Sequence, residues 1–237
     1  MSFDTHWERK VYSNGKQLNK YPYGELISVV FNSLKFLDFS KRSKSDVKIV
    51  ELGSGGGNNL WFLSELGFKV YGVDGSKSAC DNAIELQNFR GSKAEVKNAY
   101  FDSLPFNDEE VDVIIDRCAT YCGTSKDVRS WWNEASRIIK RGGLIISFKF
   151  TDTHPDLKKI LDGKLSAEKI EEKTYNKIES GPFKDTGLVN FISYDEIFEI
   201  FDFCDIKSIH KHTNELIYSD DVNEYNYSEW IIVGVKK

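Results

Sequence analysis

The chain contains no run of the ~18 consecutive apolar residues that a membrane-spanning helix requires, so no span is expected. It also lacks an excess of positive charge. Its 32 Lys and Arg stand against 37 Asp and Glu, a net charge of −5, whereas a nucleic-acid surface concentrates Lys and Arg on one face. Nucleic acid is therefore not expected as the main partner. An apolar leader is missing too: the first thirty residues interleave His6, Glu8, Arg9, Lys10, Asn14 and Lys16, which predicts a soluble, cytoplasmic protein. Cysteine is scarce. Cys80, Cys118, Cys122 and Cys204 are scattered without the paired spacing of a metal site, so they read as reduced thiols and no metal is expected.

Aromatic residues, by contrast, are plentiful: 5 Trp, 11 Tyr and 16 Phe, several of them in polar stretches. Such rings line pockets for flat or cationic ligands, or simply pack. Along the chain, short apolar runs alternate with helical spacing. Strands are expected at Val47–Leu52, Lys69–Asp74, within Ala94–Phe101, at Val111–Asp116 and at Leu144–Phe148, the last after a Gly142-Gly143 turn. Helices are expected over Glu25–Leu37, Asn58–Leu66, Ser76–Gln87, Ser130–Ile139 and Tyr194–Phe203. This alternation implies right-handed crossovers and a parallel sheet covered on both faces. Residues 152–190 are charged and weakly periodic. Asp205–His212 and Trp230–Val235 read as an edge hairpin turning through Ser219-Asp220-Asp221.

The sharpest local signal is Glu51-Leu52-Gly53-Ser54-Gly55-Gly56-Gly57-Asn58-Asn59, set between a strand and a helix. Glycines there let the backbone turn tightly and approach a ligand, and the following helix start offers free N–H groups. The dinucleotide pattern G-x-G-x-x-G fails, since Asn58 or Leu60 falls at the sixth position, and the phosphate loop G-x-x-x-x-G-K-[ST] is absent. What stands is an acid followed by alternating glycines, and a carboxylate there suits a ligand with positive charge. The segment resembles the class I S-adenosylmethionine-dependent methyltransferases, whose acid, G-x-G-x-G and second acid match Glu51, Gly53, Gly55, Gly57 and Asp74, the last 23 residues after Glu51. Leu104-Pro105-Phe106 matches a further stretch before the fourth strand. The resemblance spans about residues 47–150 and more loosely the C-terminal strands. It implies one α/β domain over residues 1–237, with a doubly wound, mostly parallel seven-strand sheet. Residues 1–43 would form an N-terminal arm and helix, and residues 152–190 a cap over the cleft.

By the same resemblance S-adenosylmethionine is the cofactor and S-adenosylhomocysteine the product. Glu51, Gly53, Ser54, Gly55, Gly57, Asn58, Asp74, Gly75, Ser76, Phe101, Asp102 and Asp116 would surround it, with Asp74 on the ribose hydroxyls. The family's adenine-contacting acid falls on Tyr100 here, so either Asp102 reaches the adenine beside Phe101 or the backbone does so alone. At the fourth strand's end, Asp116-Arg117-Cys118-Ala119-Thr120-Tyr121 carries neither the [DN]-P-P-Y of base-amino methyltransferases nor the Pro-Cys of RNA cytosine enzymes. With the acidic charge, this favours a small-molecule acceptor. Asp116 faces substrate or caps its strand; Arg117 clamps an acceptor's carboxylate or phosphate through its planar fork, or is a surface ion-pair partner. Tyr21, Tyr23 and Tyr121 are candidate acceptor contacts. His154, or else His210, is a candidate base. The aromatic arm from Trp7 to Tyr23 either folds over the site or packs on the sheet; it resembles methyltransferases of bacterial surface-polysaccharide clusters, hinting at a sugar- or nucleotide-linked acceptor. The lysines of 152–190 meet a phosphorylated acceptor or form a solvated face. A cofactor-binding protein without catalysis and a macromolecule methyltransferase are the alternatives, and the oligomeric state stays open.

Overall fold

The computed structural model describes residues 5–40, 42–217 and 226–237. Strands β1 (Lys48–Leu52), β2 (Lys69–Asp74), β3 (Glu95–Asn98), β4 (Val111–Arg117) and β5 (Ile139–Phe150) pair in parallel, in the spatial order β3-β2-β1-β4-β5. Two long C-terminal strands, β9 (Cys204–Asn214) and β10 (Tyr227–Lys236), complete a seven-stranded sheet, β10 lying antiparallel between β5 and β9. The expected edge hairpin is thus formed, while its Ser219-Asp220-Asp221 turn lies outside the described residues.

The central strands are apolar on both sides because helices cover both faces. Val50, Leu52 and Ile114 pack towards α4 (Ser125–Ile138) and α6 (Tyr194–Ile200). Their neighbours Ile49, Val113 and Ile115 pack with residues of α1 (Gly24–Ser33) and α2 (Leu60–Glu65). Helix α3 (Lys77–Arg90) links β2 to β3. The chain winds from β1 outward to β3, then returns to β4 on the other side of β1. The carboxyl ends of β1 and β4 therefore flank the crevice at which open sheets of this kind bind ligands.

Three expectations change. Gly142-Gly143 does not precede the fifth strand but lies inside it, Gly142 at φ +74 in a bulge where the pairing of β4 with β5 shifts register. Helix α4 begins at Ser125 rather than Ser130, because Thr124 and Asp127 form a reciprocal capping box at its start. Residues 152–190 hold α5 (Pro155–Leu161) and a small antiparallel sheet, β6 (Glu168–Glu171), β7 (Thr174–Asn176) and β8 (Val189–Asn190). An apolar cluster of Leu157, Leu165, Tyr175, Ile178 and Phe183, joined by Tyr121 and Phe191 from outside the stretch, explains how a charged, weakly periodic stretch still folds. Its rings are too unevenly spaced for periodicity to detect. Lys159, Lys164 and Lys173 pair with Asp156, Asp162 and Glu196. No described helix is long and apolar enough to cross a membrane.

Candidate cofactor and acceptor site

The loop after β1 needs its glycines for two physical reasons. Gly53 and Gly55 take φ of +66 and +51, a left-handed region that favours glycine. A Cβ on Gly53 would lie 2.2 Å from Ala119 Cβ, and one on Gly55 would lie 2.6 Å from the Tyr12 hydroxyl. The loop is thus pressed between the segment after β4 and the N-terminal arm. Gly57 differs: its Cβ would meet Ala83 and Gln87 of α3, and it does not line the cleft. It is a packing glycine rather than a cofactor contact.

Two carboxylates close the loop. Asp74 Oδ2 accepts from Gly55 N at 2.9 Å and Oδ1 from Ser76 N at 2.8 Å. Burial nevertheless pushes this carboxyl up to about 6. Glu51 Oε1 accepts from Asn59 Nδ2 at 2.6 Å, whereas Oε2 has no partner. Burial raises Glu51 to about 8. The nearby Ser54 Oγ is also buried and unpartnered. Buried polar atoms are normally paired, so these orphans point to a ligand. A carboxyl that needs a cation beside a second carboxylate and an open glycine cradle fits the amino group, ribose and close approach of S-adenosylmethionine.

The arm roofs this cradle. Residues Trp7–Val11 form one wide helical turn, from which Glu8 accepts from Ser76 Oγ at 2.5 Å, Ser78 N at 3.1 Å and Ser78 Oγ at 2.6 Å. Ser76 is thereby corrected: it is fully buried, caps α3 and ties down the arm instead of facing the cleft. Asn58 lines the cleft and donates to the Tyr21 carbonyl at 3.0 Å. The Tyr21 ring lies outside, 70% exposed and stacked on the Arg90 guanidinium, so it is not an acceptor contact. Tyr23 does line the cleft, with its backbone N–H donated to Asn59 Oδ1.

The resulting cleft encloses about 650 Å³. Gly75, Tyr100 and Phe101 form part of one wall, Phe101 packing edge-on against Trp131 at 5.4 Å. Asp102 is exposed and does not line this wall; the chain turns it outward one residue after Phe101.

At the end of β4 the alternatives separate. Asp116 is fully buried away from the cleft, accepting from Ala119 N, Thr120 N, Thr120 Oγ1 and Ser147 Oγ and paired with buried Lys149 at 3.1 Å. Burial works to raise it, but the Lys149 ammonium and these donors outweigh burial and hold it below its ordinary value. Asp116 shapes the loop and does not line the cleft. Arg117 lines the cleft but is already engaged: Glu229 lies 3.0 Å away, and its guanidinium sits over the Tyr23 and Phe148 rings, 4.7 Å from each. Tyr121 lines the cleft with its ring 4.8 Å from that of Phe150.

His154 also lines the cleft, as the cap residue of α5. Its Nδ1 accepts from Asp156 N at 3.2 Å. A backbone N–H can only donate, so Nδ1 is bare and the neutral ring carries its proton on Nε2. Burial also pushes His154 down to about 4. A base needs a free lone pair, so His154 is not the base. His210 is exposed on the edge strand β9 and is not one either. Sequence reasoning missed Glu229 and Asn59. Glu229 is 1% exposed, bonded to Arg117 and 3.2 Å from His212 Nδ1; a lone acid leading the apolar run from Trp230 was its only signal.

Residues 50–147 match the model of the family described as a methyltransferase domain. No curated protein matches the chain. Among solved structures, a SAM-dependent methyltransferase from Methanosarcina mazei superposes with a TM-score of 0.68 at 19% identity, covering 91% of this chain and 98% of that one. A protein from Pyrococcus horikoshii gives 0.66 at 20% identity over 99% and 100%. A protein studied for the conversion of a disulfide bond into a thioacetal group during echinomycin biosynthesis gives 0.66 at 18% over 91% and 83%. These likenesses show the fold. The chain thus carries, over residues 50–147, a stretch that matches a methyltransferase domain, and the glycine cradle and the two cleft carboxylates fit the cofactor of such a domain.

Proposed function

We propose that this methyltransferase acts on oxygen or nitrogen of a small, uncharged acceptor with an aromatic or apolar body, held between the arm and the 152–190 cap. The observation that carries this reading is that the arm and the cap line one cleft together with the glycine loop. Trp7, Tyr12 and Tyr23 of the arm and His154, Pro182 and Phe183 of the cap line the same volume of about 650 Å³ as the glycine loop. That is room for a cofactor and a compact acceptor, within the usual range of small-molecule sites. A folded macromolecule would meet the roof instead.

Charge supports the second part. Among the described residues lining the cleft, Arg117 is the one Lys or Arg, and Glu229 already pairs with it; Glu25, Glu51 and Asp74 add further carboxyls. A phosphorylated acceptor would find no unpaired cation there, so the anion clamp expected of Arg117 gives way to a structural ion pair. Bound S-adenosylmethionine supplies an electrophilic methyl group. Glu51 and Asp74 would hold its amino group and ribose, while Tyr23, Tyr121, Phe150 and Phe183 exclude water and orient the acceptor. Because His154 cannot take a proton, the reading favours acceptors that need no strong base, such as neutral amines or acidic hydroxyls.

Incubation of the protein with methyl-labelled cofactor and separate metabolite, RNA and protein fractions tests this. Label is expected in neutral small molecules. Label in RNA or protein overturns the small-acceptor reading, and label in phosphorylated metabolites overturns the uncharged one.

A further inference from the structure

At the cap end of the cleft, one polar atom stands without a partner among aromatic rings. His154 is fully buried, and the centroids of Phe150, Phe183 and Phe191 lie 5.4, 5.0 and 5.5 Å from its own. Its Nδ1 is committed to the amide of Asp156, and its Nε2 has no hydrogen-bond partner. The Nε2 proton is therefore a buried donor without a hydrogen-bond partner, packed among rings that are weak acceptors. Leaving such a donor unsatisfied is costly, and the capping of α5 uses only Nδ1, so it leaves the Nε2 proton unaccounted for.

We propose that His154 is the specificity-determining residue of the acceptor subsite: its Nε2–H donates to an uncharged oxygen or nitrogen, such as a carbonyl or ring nitrogen, on a flat aromatic acceptor packed between Tyr121, Phe150 and Phe183. This rests on the small, uncharged acceptor proposed above. The subsite rejects a carbon isostere because that molecule leaves the donor unpaired, and it offers an anionic group no full positive charge, since the ring is neutral. His154 thus selects by hydrogen bonding, without exchanging a proton.

The test uses the full chain saturated with S-adenosylhomocysteine, titrated with acetophenone and with its carbonyl-free isostere α-methylstyrene while amide spectra are followed. The wild type should bind acetophenone about tenfold more tightly, the size expected of one buried hydrogen bond. His154→Leu should abolish the preference, and His154→Gln, which keeps an N–H, should restore part of it; a cooperative melting transition and unchanged S-adenosylhomocysteine affinity show that both variants fold, His154→Leu melting a little lower for want of the α5 cap. Nitrogen-15 spectra should find the His154 proton on Nε2 at pH 7. Equal binding of both probes by the wild type, a preference that survives in His154→Leu, or a proton on Nδ1 overturns the proposal and leaves the uncharged-acceptor reading standing. Failure of both probes to bind overturns the two together.

Discussion

At the end of β1, Glu51 has one oxygen bonded to Asn59 and the other facing no donor, and burial lifts its carboxyl from 4.5 to about 8. Folding therefore binds a proton that the unfolded chain releases, so this residue's contribution is full below the ordinary carboxylate range and is lost as pH rises towards 8. Without cofactor, Glu51→Gln should melt progressively above the wild type as pH increases from 5 to 8, in a calorimetric series. With cofactor, the charge-assisted bond to the amino group is lost, and affinity should fall about tenfold or more. Wild-type binding at pH 7 should also release a proton, visible as a dependence of the binding heat on buffer ionisation. A second residue behaves oppositely. Asp116→Asn strands the Lys149 ammonium, 1% exposed, and should cost about 3–5 kcal/mol in denaturant unfolding. Little change would mean that Thr120 alone satisfies Lys149.

At the scale of elements, the first turn of the arm is tied to α3 through the Glu8 side chain. Glu8 takes three bonds from Ser76 and Ser78 at the start of α3, which hold its carboxyl below the ordinary value. The latch is therefore present above the ordinary carboxylate range and is lost as pH falls through the lowered value. Glu8→Ala should speed S-adenosylhomocysteine release on the order of tenfold at pH 7 and expose residues 5–20 to limited proteolysis. An unchanged release rate would show that the remaining ties of the arm, such as Asn58 to the Tyr21 carbonyl, hold the roof without Glu8. Elements also differ in how legible they are. The run Val111-Asp112-Val113-Ile114-Ile115-Asp116 announces β4, because a strand buried on both faces must be apolar throughout. The Thr124-to-Asp127 box marks the start of α4 one turn ahead of its apolar stripe, where hydrophobic spacing alone does not reach.

For the whole molecule, the cleft is lined by three parts at once, sheet, arm and cap, so a bound cofactor would bridge them. Ligand that binds the folded state alone, at a hundred times its Kd, stabilises by about 2.7 kcal/mol. For a chain of this size that corresponds to a rise of roughly 5–10 °C in melting temperature. S-adenosylhomocysteine should produce such a shift by scanning calorimetry, and adenosine alone a smaller one. No shift with either would mean that the cleft is not a nucleoside site.

The sequence by itself determined the alternation of β1 to β5 with helices, the glycine run at Gly53 and Gly55, and the acids Glu51 and Asp74, because these depend on local periodicity and on short spacings; the doubly wound order came only with the family resemblance. Tertiary structure decided which charges are spent inside the fold. Asp116 turned to Lys149, Arg117 to Glu229 across more than a hundred residues, Ser76 to Glu8, and Gly57 to Ala83, and none of these pairings has a signature in the neighbouring sequence. Tertiary structure also brought Phe150, Phe183 and Phe191 around His154. A titratable side chain becomes base, donor or buried ion according to the partners that distant strands bring to it, and burial sets the free energy of each state.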